Sequence, residues 1–128
     1  MWQVATTDDF DDWFASLPAT AQAEVIAKVS LLKLLGPQLK RPHADTLNGS
    51  KHANMKELRA DCKDCVLRIA FAFDPLRSAV LLLGGNKSGV SQKRFYNQLI
   101  AKADALFDAH LDAIRPNRKN PKKRTEGK

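Results

Sequence analysis

The sharpest hydrophobic pattern in the chain lies at Val66–Phe73. Leu67, Ile69, Phe71 and Phe73 fall on one side of it, and Val66, Arg68, Ala70 and Ala72 on the other. This period of two predicts a strand. Together with its flanks, residues 55–87 read as three short strands joined by tight turns. The first turn falls at Lys63-Asp64, between Cys62 and Cys65. An even loop there sets Leu58 opposite Ile69 and Arg59 opposite Arg68. Directly opposed side chains share a face, and like charges so placed repel one another. Two arginines side by side therefore point to an anion between them, and this pair is the main clue to function.

The remaining periodicity is helical. Phe10, Trp13, Phe14 and Leu17 recur at helix spacing and predict a helix from about Asp8 to Leu17, capped by Thr7, with aspartates at its positive end. Pro18 closes it and opens a second helix, Ala19 to Leu35, which Gly36-Pro37 stops. The stripe of this helix is Ala21, Val25, Val29 and Leu32, widened by Ile26. Leu31, Leu34 and Leu35 extend its apolar surface, which we expect the sheet to bury; a partner surface is the alternative. Trp2–Thr6 reads as an edge strand. A last helix, Gln92 to Leu111 with Ser91 as cap, turns Phe95, Leu99, Ile100, Ala103, Leu106 and Phe107 inward. Tyr96 lies near the centre of that face and reads as a core residue. Between the second helix and the strands, residues 38–54 form an irregular loop. It carries Lys40, Arg41, His43, Lys51 and His52, a rim suited to an anionic ligand. Gly84–Gly89 is glycine-rich without the ending of a phosphate-binding loop, so it turns the chain off the sheet and leaves Asn86 and Lys87 at the lip. These elements make an α+β domain over residues 1–114, with a helical hairpin and a C-terminal helix on a small antiparallel sheet. Residues 115–128 are expected to be a basic flexible tail.

Composition narrows the function. The chain has 128 residues, 44% hydrophobic and 27% charged, as in an ordinary soluble single domain. It has no apolar run of membrane-spanning length, and its acidic opening does not resemble a secretory signal, so a cytoplasmic location away from membranes is expected. The net charge of +7 is uneven. Residues 40–94 and 115–128 are strongly basic, whereas 1–39 and 95–114 are acidic. A basic field over the strands favours a nucleic acid or another polyanion. Cys62 and Cys65 have the spacing of half a zinc site, but no second ligand pair accompanies them. We expect two reduced thiols flanking a turn, with an incidental disulfide or metal as the lesser alternatives, and no cofactor.

The order β-α-α-β-β-β-α resembles the RelE/ParE superfamily of bacterial toxins, and most closely its HigB-like, phage-derived branch. The likeness is carried by Lys56-Glu57-Leu58-Arg59, Arg68-Ile69-Ala70-Phe71-Ala72-Phe73, Leu82-Leu83-Gly84-Gly85-Asn86-Lys87 and Phe95-Tyr96-Asn97-Gln98-Leu99-Ile100, completed by Ala103-Asp104. The resemblance implies a RelE-like fold and a toxin that cuts mRNA in the ribosomal A site without a metal. It also implies a helix-turn-helix antitoxin as partner, through which alone operator DNA is reached. By position, Arg59, Arg68 and Lys87 would be catalytic. The arginines would clamp the phosphate and stabilise its developing charge, and Lys87 would steady it or protonate the leaving oxygen. Lys56, Lys51, His52, Asn86 and Tyr96 would contact RNA. The chain departs from its relatives at Leu67, where an aromatic is common, and no histidine or acid stands in an obvious general-base position. Two other readings keep the same fold: a ParE-like inhibitor of DNA gyrase, and an inactive phage-derived regulator that binds nucleic acid. A structural role for the arginines, paired to Glu57 and Asp61, competes with all of these.

Overall fold

The computed structural model describes residues 1–116; apart from Arg115 and Pro116, the segment expected to be a tail lies outside them. The elements are β1 (Gln3–Thr6), α1 (Asp8–Ala15), α2 (Ala19–Leu35), β2 (Ala44–Thr46), β3 (Lys56–Cys62), β4 (Cys65–Phe73), β5 (Ser78–Asn86) and α3 (Gln92–Ile114). Thr7 caps α1 by accepting from the Phe10 N–H, and Ser91 caps α3 by accepting from the Arg94 N–H. Gly36 ends α2 at φ +55°, with the Trp2 indole packed where a side chain would stand. None of the described helices is long and apolar enough to cross a membrane.

The five strands form one sheet in the order β1-β5-β4-β3-β2. This corrects the expected antiparallel sheet: β1 runs parallel to β5, so the sheet is mixed. The strand leads into the helical hairpin, and the chain returns beside it only after the β3–β4 and β4–β5 reversals. It also corrects the expected 38–54 loop. Ala44–Thr46 pairs with Lys56–Leu58 as a short outer strand, and Ala44 is buried there.

The two-residue turn sets the register as its length predicts. Leu58 faces Ile69, Arg59 faces Arg68, and Cys62 faces Cys65. That last pairing overturns the expectation of two reduced thiols. The two Cα atoms lie 5.0 Å apart, within disulfide reach, and the cysteines are joined.

The two faces of the sheet carry separate cores. Leu58, Ala60, Leu67, Ile69 and Phe71 pack with Phe10 of α1 and Ala21, Val25 and Leu32 of α2. Ala70, Ala72, Val80 and Leu82 pack with Phe95, Leu99, Ala103 and Phe107 of α3. Only one face of α2 meets the sheet. Its expected burial on several sides is therefore wrong: Ile26 is 56% exposed and Leu34 65%. The arginines lie on the α3 side, beside the N-terminal part of that helix.

Candidate functional site

Alternation along β3 turns Glu57, Arg59 and Asp61 to the face that carries Arg68 on β4. The side chain opposite Glu57 is the small Ala70, which leaves room for the carboxylate to lie over the sheet. Glu57 is only 3% exposed. Its Oε2 accepts from Arg59 Nε at 3.0 Å and pairs with Arg59 Nη2 at 2.9 Å. Its Oε1 accepts from the Tyr96 hydroxyl at 2.7 Å and lies 3.9 Å from Arg68 Nε. The anion between the arginines is thus supplied by the chain itself.

The two arginines are held differently. Arg68 is 7% exposed, and its Nη1 donates to Asp61 Oδ1 at 2.6 Å and to the Leu67 carbonyl at 2.8 Å. Its buried Nε has no hydrogen-bond partner among the described residues. A buried donor without a partner is unusual and marks a place where an acceptor would be favoured. The Arg59 side chain is 31% exposed and reaches Asp45 of β2 at 3.4 Å, so it has access to solvent that Arg68 lacks. Asp45 is itself held by the Thr46 N–H and by Arg41, which keep its carboxyl below the ordinary value.

Tyr96 joins this cluster to α3. Burial, and then the hydrogen bond to the Glu57 carboxylate, push the phenol up to about 12, so it remains a donor at neutral pH. The Lys87 ammonium lies 5.3 Å from the centre of its ring, and the Lys87 N–H is tied to the Val66 carbonyl. Arg59, Arg68, Tyr96 and Lys87 therefore come together, with Glu57 at the centre.

The other candidate RNA contacts are placed elsewhere. The Asn86 side-chain oxygen accepts from the Val66 and Ser88 N–H groups and so shapes the turn after β5. Lys51 and His52 both pair with Asp108, and this holds their loop on α3. The Lys51 bond keeps the Asp108 carboxyl below its ordinary value and the lysine above its own. Asp108 lies twelve residues beyond Tyr96, about 18 Å along the helix. Lys56 lines a separate cleft with Lys40, Arg41 and Asp45. The histidines are likewise engaged away from the cluster, His43 with Lys28, His52 with Asp108 and His110 with Asp74. Among the described residues no group of three His, Cys, Asp or Glu side chains is placed to hold a metal ion. Sequence reasoning noted Glu57 only as an ion-pair partner. Its spacing of two from Arg59 on one strand was the signal that it shares the arginine face.

Comparison with known proteins gives the family and the fold. Residues 12–108 match the family described as phage-derived protein Gp49-like. Two Mycobacterium tuberculosis relatives carry toxin names. One, HigB3, is 48% identical over 92 residues, covering 72% of this chain and 78% of its own length. The other, HigB2, is 36% identical over 124 residues, covering 96% of this chain but 61% of its own length. A free-state mutant of the Escherichia coli toxin RelE shares the fold with a TM-score of 0.57 at 9% identity, covering 79% of this chain and 95% of its own. The RelB–RelE antitoxin–toxin complex from Methanococcus jannaschii gives a TM-score of 0.53, also at 9% identity, over 74% of this chain and 98% of that one. On these matches the chain belongs to the phage-derived Gp49-like family and, with it, to the HigB-like branch of the RelE/ParE superfamily.

Proposed function

We propose that the protein is the toxin of a type II toxin–antitoxin pair and an endoribonuclease that cuts mRNA on the ribosome. The observation that carries this reading is the cluster of Arg59, Arg68, Tyr96 and Lys87 around the Glu57 carboxylate. It combines fixed positive charge, a proton acceptor and a proton donor at one place. RNA supplies its own nucleophile, the 2′-hydroxyl. Glu57 accepts the 2′-hydroxyl proton as the 2′-oxygen attacks phosphorus. Arg59, the more exposed of the pair, turns from Glu57 to the phosphate, and the buried Arg68 adds its fixed positive charge behind it as charge develops on the phosphate oxygens. Lys87 protonates the departing 5′-oxygen. The products are a 2′,3′-cyclic phosphate and a 5′-hydroxyl, and no metal is required.

In this reading the partners are the ribosome, mRNA and a helix-turn-helix antitoxin. The protein acts in the cytoplasm, and operator DNA is reached only through the antitoxin. The support lies in the family, in the toxin names of its relatives and in the basic character of residues 40–94.

One observation favours a second reading. Both arginines are already neutralised by Glu57, Asp45 and Asp61, as in a cluster whose task is structural. A toxin of that kind would bind DNA gyrase in the ParE manner and leave RNA intact. Induction of the protein without its antitoxin separates the two. Growth arrest with transcripts broken inside translated codons supports the endonuclease. Arrest with intact transcripts and loss of DNA supercoiling supports the gyrase inhibitor.

A further inference from the structure

Beside Tyr96, and lined by neither arginine, an open cleft of about 730 Å³ runs between the loop after β2 and the N-terminal half of α3. Its walls include Asn48, Gln92 and Asn97, with Tyr96 and Ile100 beneath them. None of the three carboxamides is hydrogen-bonded to another described residue; the nearby polar groups that have partners are Asp104, Ser50 and the Lys51 N–H, bonded to one another. Gly49, at φ +99°, keeps the loop wall low over Ile100. A polar cleft with an apolar floor and unused carboxamides suits a flat ligand with donors and acceptors on its edge.

Tyr96 belongs to both places. Its ring lines the cleft, while its hydroxyl donates to Glu57 and Lys87 sits against its face. A nucleotide whose phosphate lies by Arg59 and Lys87 therefore has this cleft within reach of its base. We propose that the cleft is a nucleobase-reading site. Asn48, Gln92 and Asn97 would recognise the edge of one unpaired base next to the cleaved phosphate, and Tyr96 and Ile100 would support its face. A carboxamide offers a donor and an acceptor side by side, which matches a base edge, and single-stranded RNA exposes such edges. The inference rests on the RNA-cleavage reading for its choice of ligand and adds base selection to it.

The test uses the full chain and four short RNAs that differ in one base and carry a 2′-O-methyl group at the cut position to prevent cleavage. Affinities are measured by fluorescence anisotropy at one fixed salt concentration. The expected result is a preference of about tenfold for one base, the size of a single good carboxamide–base contact. Asn97→Ala should reduce the preference to about twofold. Asn97→Asp, which replaces a donor by an acceptor, should move the preference to a different base. Thermal unfolding shows whether each variant is folded, and Gln92→Ala gives an independent variant at the same wall. Equal affinity of the parent for all four RNAs overturns the proposal, as does a preference unchanged in folded Asn97→Ala and Gln92→Ala. Base-dependent binding without cleavage in cells would refute the endonuclease and leave the reading site standing.

Discussion

Replacement of Glu57 by Gln removes one negative charge from the cluster with almost no change of shape. In the parent, Glu57 accepts from Arg59 at 3.0 Å and Tyr96 at 2.7 Å, and it is 3% exposed. Breaking a fully buried ion pair by removing one partner costs about 3–5 kcal/mol. Two features reduce that figure. Arg59 keeps access to solvent and to Asp45, and Arg68 keeps Asp61 and the Leu67 carbonyl. A loss of about 2 kcal/mol is expected, or about 8 °C in Tm for a domain of this size. Thermal unfolding by circular dichroism reads it, and a double-mutant cycle with Arg59→Ala isolates the coupling between the two residues. The same variant separates two roles for the carboxylate in function. A general base lost to Gln should lower cleavage by about a hundredfold or more while RNA binds more tightly, because the arginines no longer have an internal counter-ion. Unchanged stability would refute the reading of Glu57 as the internal anion. Unchanged cleavage would refute it as the base.

Other expectations follow from the same geometry. The chain has a single tyrosine, so the absorbance of tyrosinate reports Tyr96 alone. Its titration midpoint should lie near 12, and a midpoint at the ordinary 10.0 would contradict the bond to Glu57. Because the folded phenol holds its proton longer than the unfolded one, its contribution to stability is intact below pH 10 and is lost as pH rises toward 12; Tyr96→Phe should lack that part of the decline in urea unfolding. Gly84→Ala would place a methyl group 2.4 Å from the Trp13 ring, and a loss of about 2 kcal/mol is expected from chemical denaturation. Asp74→Ala strips the acceptor from the Leu76 and Ser78 N–H groups and releases His110, so unfolding free energy should fall by about 1–3 kcal/mol. Asp74→Asn keeps an acceptor oxygen and should lose less.

The strands and helices were legible in the sequence where local chemistry decides them. The two-residue turn fixed the β3–β4 register and so placed Arg59 against Arg68, while Thr7 and Ser91 announced the starts of their helices. β2 was not legible, because three residues centred on Asp45 have no period of their own and are a strand only through pairing with β3. The parallel pairing of β1 is a property of the whole topology, which no local pattern records. The exposed Leu34 could not be read from its apolar character, since only the direction of the helix axis over the sheet decides which leucines are covered. At the site, the arginine pair was legible, and Glu57 and Asp61, named as its structural alternative, are the partners found. What the chain withheld was the central place of Glu57. Glu57 lies two residues from Arg59, and it becomes the counter-ion because Ala70 opposite leaves space and Tyr96 arrives from α3. The same third dimension explains why Lys51 and His52, basic neighbours in sequence, are drawn to Asp108 and away from the cluster.

The most direct test of the proposed mRNA cleavage adds the purified full chain to ribosomes programmed with a defined mRNA and maps new 5′ ends by primer extension. The expected result is cleavage inside the codon awaiting decoding, absent without ribosomes and abolished in Arg59→Ala and Arg68→Ala variants shown to be folded. Cleavage that survives in both folded variants, or no cleavage by a parent chain that still arrests growth, would contradict it.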